Sequence, residues 1–369
     1  MTKGRGFVVS QDGSVFDQDR KLIYQSSEGF RRDVGEGHVC FICGAHPHDK
    51  IFNDEHVIPD WVLRECGLHN KTIVLPNQKG YPYGRYKIPC CEECNSELGK
   101  RVEAPISELF KGGYEHFTDS IVKDTPWQVF HWICLIFLKT HLKDRHLPFH
   151  LDRRQGEGPI ATAYDWSLLH HVSCIARSHY TKASIHNFVM GSLWVLPAKS
   201  GPGFGEFDFA DLYGAQTVLI RVHEIAIIAV LNDACGCYSL QPEFIQKIKG
   251  RLAPIQLREI MVRIAHLNML IKERPVFHST FNDGKHEIGV DLPNAVELEE
   301  GTGEQLGKLM FRACDEFIDS AVIPENTMTH EQMRNHIRAG EFTFLVDSDG
   351  KFIDHKIASD QEAESGPGE

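Results

Sequence analysis

Cys40-Phe41-Ile42-Cys43, Glu55-His56-Val57-Ile58-Pro59 and Cys91-Glu92-Glu93-Cys94-Asn95 are the three pieces of sequence on which the fold of this 369-residue chain turns. A Cys-x-x-Cys knuckle brings two thiolates from one tight turn to the same ion at about 2.3 Å, and two knuckles at this separation read as a tetrahedral zinc site. Four protein ligands leave no open position, so such a zinc is structural. It clamps together what lies between and beside the knuckles: a carboxylate next to a histidine, and an amide directly after the last cysteine. Residues 52–58 predict a strand running to Pro59, and Asp60–Glu65 a helical turn. Residues 86–89 predict a short extended run into the second knuckle. Residues 95–103 predict a helix, with Leu98 and Val102 four apart on one face.

These residues resemble the HNH endonuclease family, whose active site is a ββα-metal finger. In that family an acidic residue beside a histidine starts the motif, many members continue with Val-Ile-Pro, and many carry a second Cys-x-x-Cys followed directly by His or Asn. Glu55-His56-Val57-Ile58-Pro59 matches the first element and Cys91-x-x-Cys94-Asn95 the last. The resemblance implies His56 as general base and Glu55 and Asn95 as ligands of a catalytic Mg²⁺ or Mn²⁺. It also implies DNA as substrate, with 5′-phosphate and 3′-hydroxyl products. Two departures stand out: Glu55 where Asp is commoner, and Asn95 at the closing position. The family's middle asparagine is not placed, since Asn70 and Asn77 both lie in the intervening loop. The resemblance covers residues 37–110.

The residue types suit that chemistry. Histidine titrates near neutrality, and a positioned general base contributes roughly 10²–10⁴-fold. A hard divalent ion takes oxygen donors such as a carboxylate and an amide. Nothing in the residues separates DNA from RNA. The competing interpretation, from a different class, is a catalytically silent zinc module that binds nucleic acid or a partner protein. Disulfides are disfavoured by an odd total of eleven cysteines and the absence of a secretory signal region. Cys90 adjoins Cys91, but the spacer and the following Asn favour Cys91 as ligand. Asp54 points away from Glu55 by strand alternation.

Length predicts two or three domains, and the helix-like and strand-like segments along the chain an α+β protein: a hairpin extension over 1–36, the nuclease finger over 37–110, a mixed α+β recognition or regulatory domain over 111–340, and a hairpin with an acidic tail over 341–369. The hairpins follow from an internal echo, residues 7–17 against 344–354, each two apolar runs around an Asp-Gly turn. No apolar stretch is long enough for a membrane span, and cytoplasmic residence is expected. The net charge of −12 argues against indiscriminate nucleic-acid binding. Around the finger, however, Lys71, Lys79, Arg85, Lys87, Lys100 and Arg101 are interleaved with Tyr81, Tyr83 and Tyr86, an arrangement that can grip a backbone and stack on a base. Since an unrestrained nuclease damages its own cell, the remainder is expected to gate cleavage through target recognition, self-association or a regulatory partner. Bacterial defence or restriction against invading DNA is the setting that family analogy implies.

Overall fold

In the computed structural model the described residues are 6–75, 77, 79–123, 126–319 and 328–356. They form an α+β protein of two compact units, and no helix among them is long and apolar enough to cross a membrane.

The first unit opens with a small sheet of β1 (Val8–Val9), β2 (Val15–Phe16) and β3 (Leu22–Tyr24). Its first hairpin turns at Gly13, whose φ of 85° is open to glycine, and pairs Val8 with Phe16 as the Asp-Gly signal predicts. Next, β4 (Phe52–His56) pairs antiparallel with β7 (Lys87–Cys91), in a register running from Phe52↔Cys91 to His56↔Lys87. Between them lie α1 (Asp60–Glu65) and the hairpin of β5 (Thr72–Val74) and β6 (Gly80–Pro82). Strand β7 passes directly into α2 (Glu92–Leu98), which continues through a wider π-type turn, Gly99–Glu103, into the helix Ala104–Lys111. Leu98 and Val102 are both buried, so the predicted apolar face is the one that packs.

Two long helices complete this unit. They are α3 (Pro126–Asp144) and α4 (Trp166–Thr181). From Val129 to Leu142 every residue of α3 is buried, which makes it a core helix. The hairpin Val276–Asn282/Lys285–Asp291 belongs to the same unit, with Ser184–Ile185 paired parallel to its second strand.

This organisation differs from the expected domain boundaries. The segment 37–110 lies in one compact unit with Ser120–Val189 and Val276–Asp291. The reason is a set of buried cations on α3 and α4 and just beyond α3. Arg145 donates to the carbonyls of Val34, Gly35 (2.8 Å) and Gly37 (2.7 Å). Arg177 donates to the carbonyls of Ile42 (2.6 Å) and Leu22 (3.2 Å) and to the Gln25 amide oxygen (3.1 Å). The loop that leads to and forms the first knuckle therefore has its backbone satisfied by residues more than a hundred positions downstream.

The second unit is built on an antiparallel sheet of β8 (Leu193–Pro197), β9 (Phe207–Leu212), β10 (Thr217–Val222) and β11 (Ile225–Val230), in the order β9-β10-β11-β8. Both central strands are buried along their whole length, consistent with their largely apolar sequence. Helix α5 (Pro254–Met269) packs on the sheet through Leu257, Ile260, Met261 and Ile264. Helices α6 (Gly303–Ile318) and α7 (His330–Ala339) add Met310, Ile318, Met333 and Ile337 to the same core. Strand β8 begins at Leu193, and Phe188 before it sits at φ 68°. At the C-terminus the second Asp-Gly turn gives one bridge, Val346↔Phe352, and the acidic stretch 357–369 lies outside the described residues.

Candidate metal centre and the histidine beside it

Cys40, Cys43, Cys91 and Cys94 converge as the spacing predicts. All four are buried, with their sulfurs within 4.8 Å of one another. A tetrahedral site with metal–sulfur bonds of about 2.3 Å needs sulfurs about 3.8 Å apart. The Cys43 and Cys91 sulfurs are 3.6 Å apart. The four sulfurs are thus placed to hold one metal ion. Electrostatics agrees: hydrogen bonding from its neighbours pulls the Cys40 thiol far down, and the same contact with Cys40 drives Cys91 and Cys94 up. Thiols crowded in this way cannot all ionise without a cation among them. Cys90 is also buried, 3.8 Å from Cys40 through sulfur, as a neighbour of the group.

The first knuckle is a turn closed by Gly44 N–H to the Cys40 carbonyl (2.8 Å), with Gly44 at φ 74°. The second knuckle is the junction of β7 and α2, so the cluster fastens the first loop to the point where strand becomes helix. The result is a strand pair and a following helix tied together at one end.

Along β4 the side chains alternate, and this separates the residues expected to act together. Glu55 is 6% exposed. It receives a hydrogen bond from the ammonium of Lys139 on α3 at 2.6 Å. Lys139, itself 2% exposed, also donates to the His56 carbonyl at 2.8 Å and to Glu103 at 3.4 Å. Burial pushes the Glu103 carboxyl up to about 7. Burial works to lower the Lys139 ammonium, but the charges of Glu55 and Glu103 outweigh it and hold it above its ordinary value. Asn95 donates from its amide to the Asn53 side-chain oxygen at 2.8 Å, and Asn53 shares the Glu55 face of the strand. Of the two residues expected to hold the catalytic metal, Glu55 is thus buried on a lysine and Asn95 is hydrogen-bonded to an asparagine.

His56 points to the opposite face. Its side chain is 19% exposed, and burial together with the Lys87 charge holds its imidazole below the ordinary value. It is neutral at pH 7, the form that accepts a proton or ligates a metal. Beside it stand two residues that the sequence did not single out. Asp60, the first residue of α1, lies 3.9 Å from the His56 Nε2 through its Oδ1. The same Oδ1 is 3.0 Å from the Nε2 of His69. His56, Asp60 and His69 make up a second group whose ligand atoms lie within 4.8 Å of one another. Sequence offers a weak signal for Asp60, which opens the helical turn after Pro59, and none for His69 in the next loop.

Of the asparagines considered for the middle position, Asn77 is buried and spends its side chain on the Pro148 carbonyl (2.9 Å) and the Lys79 amide (3.1 Å). Asn70 is exposed. The tyrosines expected to meet bases are also reassigned: Tyr83 and Tyr86 are buried, and the Tyr86 hydroxyl donates to Asp144 at 2.7 Å. Comparisons of the chain with protein-family models, with curated proteins and with solved structures give no match.

Proposed function

We propose that this protein is a metal-dependent endonuclease of the HNH type, hydrolysing phosphodiester bonds in DNA, with zinc in the four-cysteine centre. His56 is the residue at which the attacking water is activated. One observation carries the proposal: a cysteine-clamped strand pair running into a helix, which presents a partly exposed histidine at the end of its first strand. Lys87, directly opposite His56 in the register, is the cation assigned here to a phosphate oxygen. Products with 5′-phosphate and 3′-hydroxyl ends, and a role in defence against foreign DNA, follow from the family resemblance.

The test is nicking of supercoiled plasmid across Mg²⁺, Mn²⁺, Ni²⁺ and Zn²⁺. His56→Ala should abolish metal-dependent nicking while zinc content and fold stay intact. Full activity in that variant would place the chemistry elsewhere. A second interpretation, a catalytically silent zinc module for nucleic acid or a protein partner, draws support from the engagement of Glu55 with Lys139 and of Asn95 with Asn53. It predicts no nicking with any of the four metals.

A further inference from the structure

We infer that His56, Asp60 and His69 form a binding site for one divalent transition-metal ion, separate from the four-cysteine centre, whose open positions take water and a phosphodiester oxygen. The inference rests on the nuclease interpretation for its ligand and deepens it, because the metal moves from Glu55 and Asn95 to the opposite face of β4.

Geometry carries the argument. The three side chains arrive from three places: the end of β4, the first turn of α1, and the loop after that helix. The ligand atoms already lie within 4.8 Å of one another, with Asp60 Oδ1 at 3.0 Å from His69 Nε2 and 3.9 Å from His56 Nε2. Bonds of about 2.1 Å place neighbouring ligands about 3.0 Å apart in an octahedron and about 3.4 Å apart in a tetrahedron. Closing on an ion therefore asks for side-chain movements of about an ångström or less.

The support is rigid. Val57 and Ile58 are fully buried between the strand and the helix, and Trp61, Val62 and Leu63 anchor α1 in the core. The backbone carbonyl of His69 accepts from Gly84 at 3.2 Å. Arg64 takes the other oxygen of Asp60 at 2.9 Å, which fixes the carboxylate with Oδ1 turned to the histidines. An oriented carboxylate of this kind is what a metal ligand needs from its surroundings.

The donor set selects the ion. Two imidazoles and one carboxylate suit Mn²⁺, Fe²⁺, Co²⁺, Ni²⁺ or Zn²⁺ and not Ca²⁺ or Mg²⁺, which prefer oxygen. Three protein ligands leave positions open, and side-chain exposures of 19%, 39% and 41% put those positions within reach of solvent and substrate. A dication with one carboxylate, next to Arg64 and Lys87, leaves the site net positive, so an anion is its natural occupant. In this site His56 acts through the metal. Bound water loses a proton to solvent, its oxygen bonds to phosphorus, the P–O3′ ester bond breaks, and the leaving oxygen takes up a proton. One water is consumed, leaving a 5′-phosphate and a 3′-hydroxyl.

The test titrates Co²⁺ into full-length protein whose cysteine centre is loaded with zinc, reading visible absorption and calorimetry. One additional equivalent should bind to the wild type. His69→Gln and Asp60→Asn should weaken that binding roughly 10–100-fold or more, with zinc content and circular dichroism unchanged. His48→Gln, an exposed imidazole outside the group, should bind as the wild type does. Absence of a second equivalent overturns the site. So does binding that survives His69→Gln and Asp60→Asn but is lost in Asn95→Ala. Plasmid nicking in parallel keeps the two ideas apart. Co²⁺ bound through these residues without nicking upholds the site and sinks the nuclease. Nicking with wild-type metal dependence in His69→Gln upholds the nuclease and sinks the site.

Discussion

Lys139 carries a charge into a place where its ammonium has only acceptors for company: Glu55, Glu103 and the His56 carbonyl. Three donors meet three acceptors, so the cost of burying the charge is offset only while all three remain. Lys139→Met should leave two carboxylates confronting each other and cost about 3–5 kcal/mol, measured by chemical denaturation. Glu55→Gln keeps the shape and loses one charge-assisted bond, so about 1.5–3 kcal/mol is expected. If Glu55 ligated the catalytic metal, that variant would instead lose metal dependence at unchanged stability. A carboxylate next to a histidine was legible in the sequence, but the face each occupies was not. The alternation that turns Asp54 away from Glu55 also turns Glu55 away from His56, and what commits Glu55 to the interior is a lysine 84 positions away. A lone lysine inside an apolar helix reads as an interruption of the pattern, not as a partner.

At the scale of elements, the knuckles and the helix after them were legible because their information is local: a two-residue spacer, a turn glycine, apolar residues four apart. The centre they form should control the stability of the strand pair. Cys94→Ser, or a strong chelator, should release the metal and lower Tm by roughly 10 °C or more, as loss of several kcal/mol would. Cys90→Ala, beside the cluster but outside it, should keep one metal per chain by elemental analysis. The long helices carry a second consequence. His131 on α3 donates from Nε2 to the Ala176 carbonyl of α4 at 3.1 Å, and its ring lies 5.4 Å from that of His179. Burial pushes both imidazoles down to about 4, and His171, stacked on Phe277, down to about 3. All three are neutral when folded and charge more readily once unfolded, so the unfolded chain binds more protons as pH falls below about 6.5. Stability should then drop with falling pH, by up to roughly 3 kcal/mol for His131 by pH 4. Glu103 works the other way between its ordinary carboxyl value and about 7, but one carboxyl does not offset three imidazoles. Tm measured from pH 7 to 4.5 should fall steadily, and His131→Phe should flatten the slope. A flat profile in the wild type would show that these rings are charged when folded.

For the molecule as a whole, the sequence suggested a finger that ends near residue 110 and a separate body beyond it. Motif spacing marks where a metal centre begins and ends, but it is blind to which later helices satisfy its backbone. Here they are α3 and α4 and the residue just beyond α3, through Lys139, Arg145 and Arg177. Cutting the chain at Lys111 would remove every one of those groups. The Glu55 carboxylate would lose its counter-ion, the carbonyls of Gly35, Gly37 and Ile42 their donors, and Trp61 its stacking against Trp132. The apolar faces of β4, α1 and α2 would then be open to water with no core of domain size behind them. We expect a fragment of residues 1–111 to show no cooperative thermal transition and less than one bound zinc per chain, whereas the full-length protein shows both a transition and a full equivalent. Calorimetry with metal analysis on the two proteins decides it. A fragment that unfolds cooperatively with one zinc bound would mean that the finger is an independent domain after all, and that the buried arginines serve only to dock it.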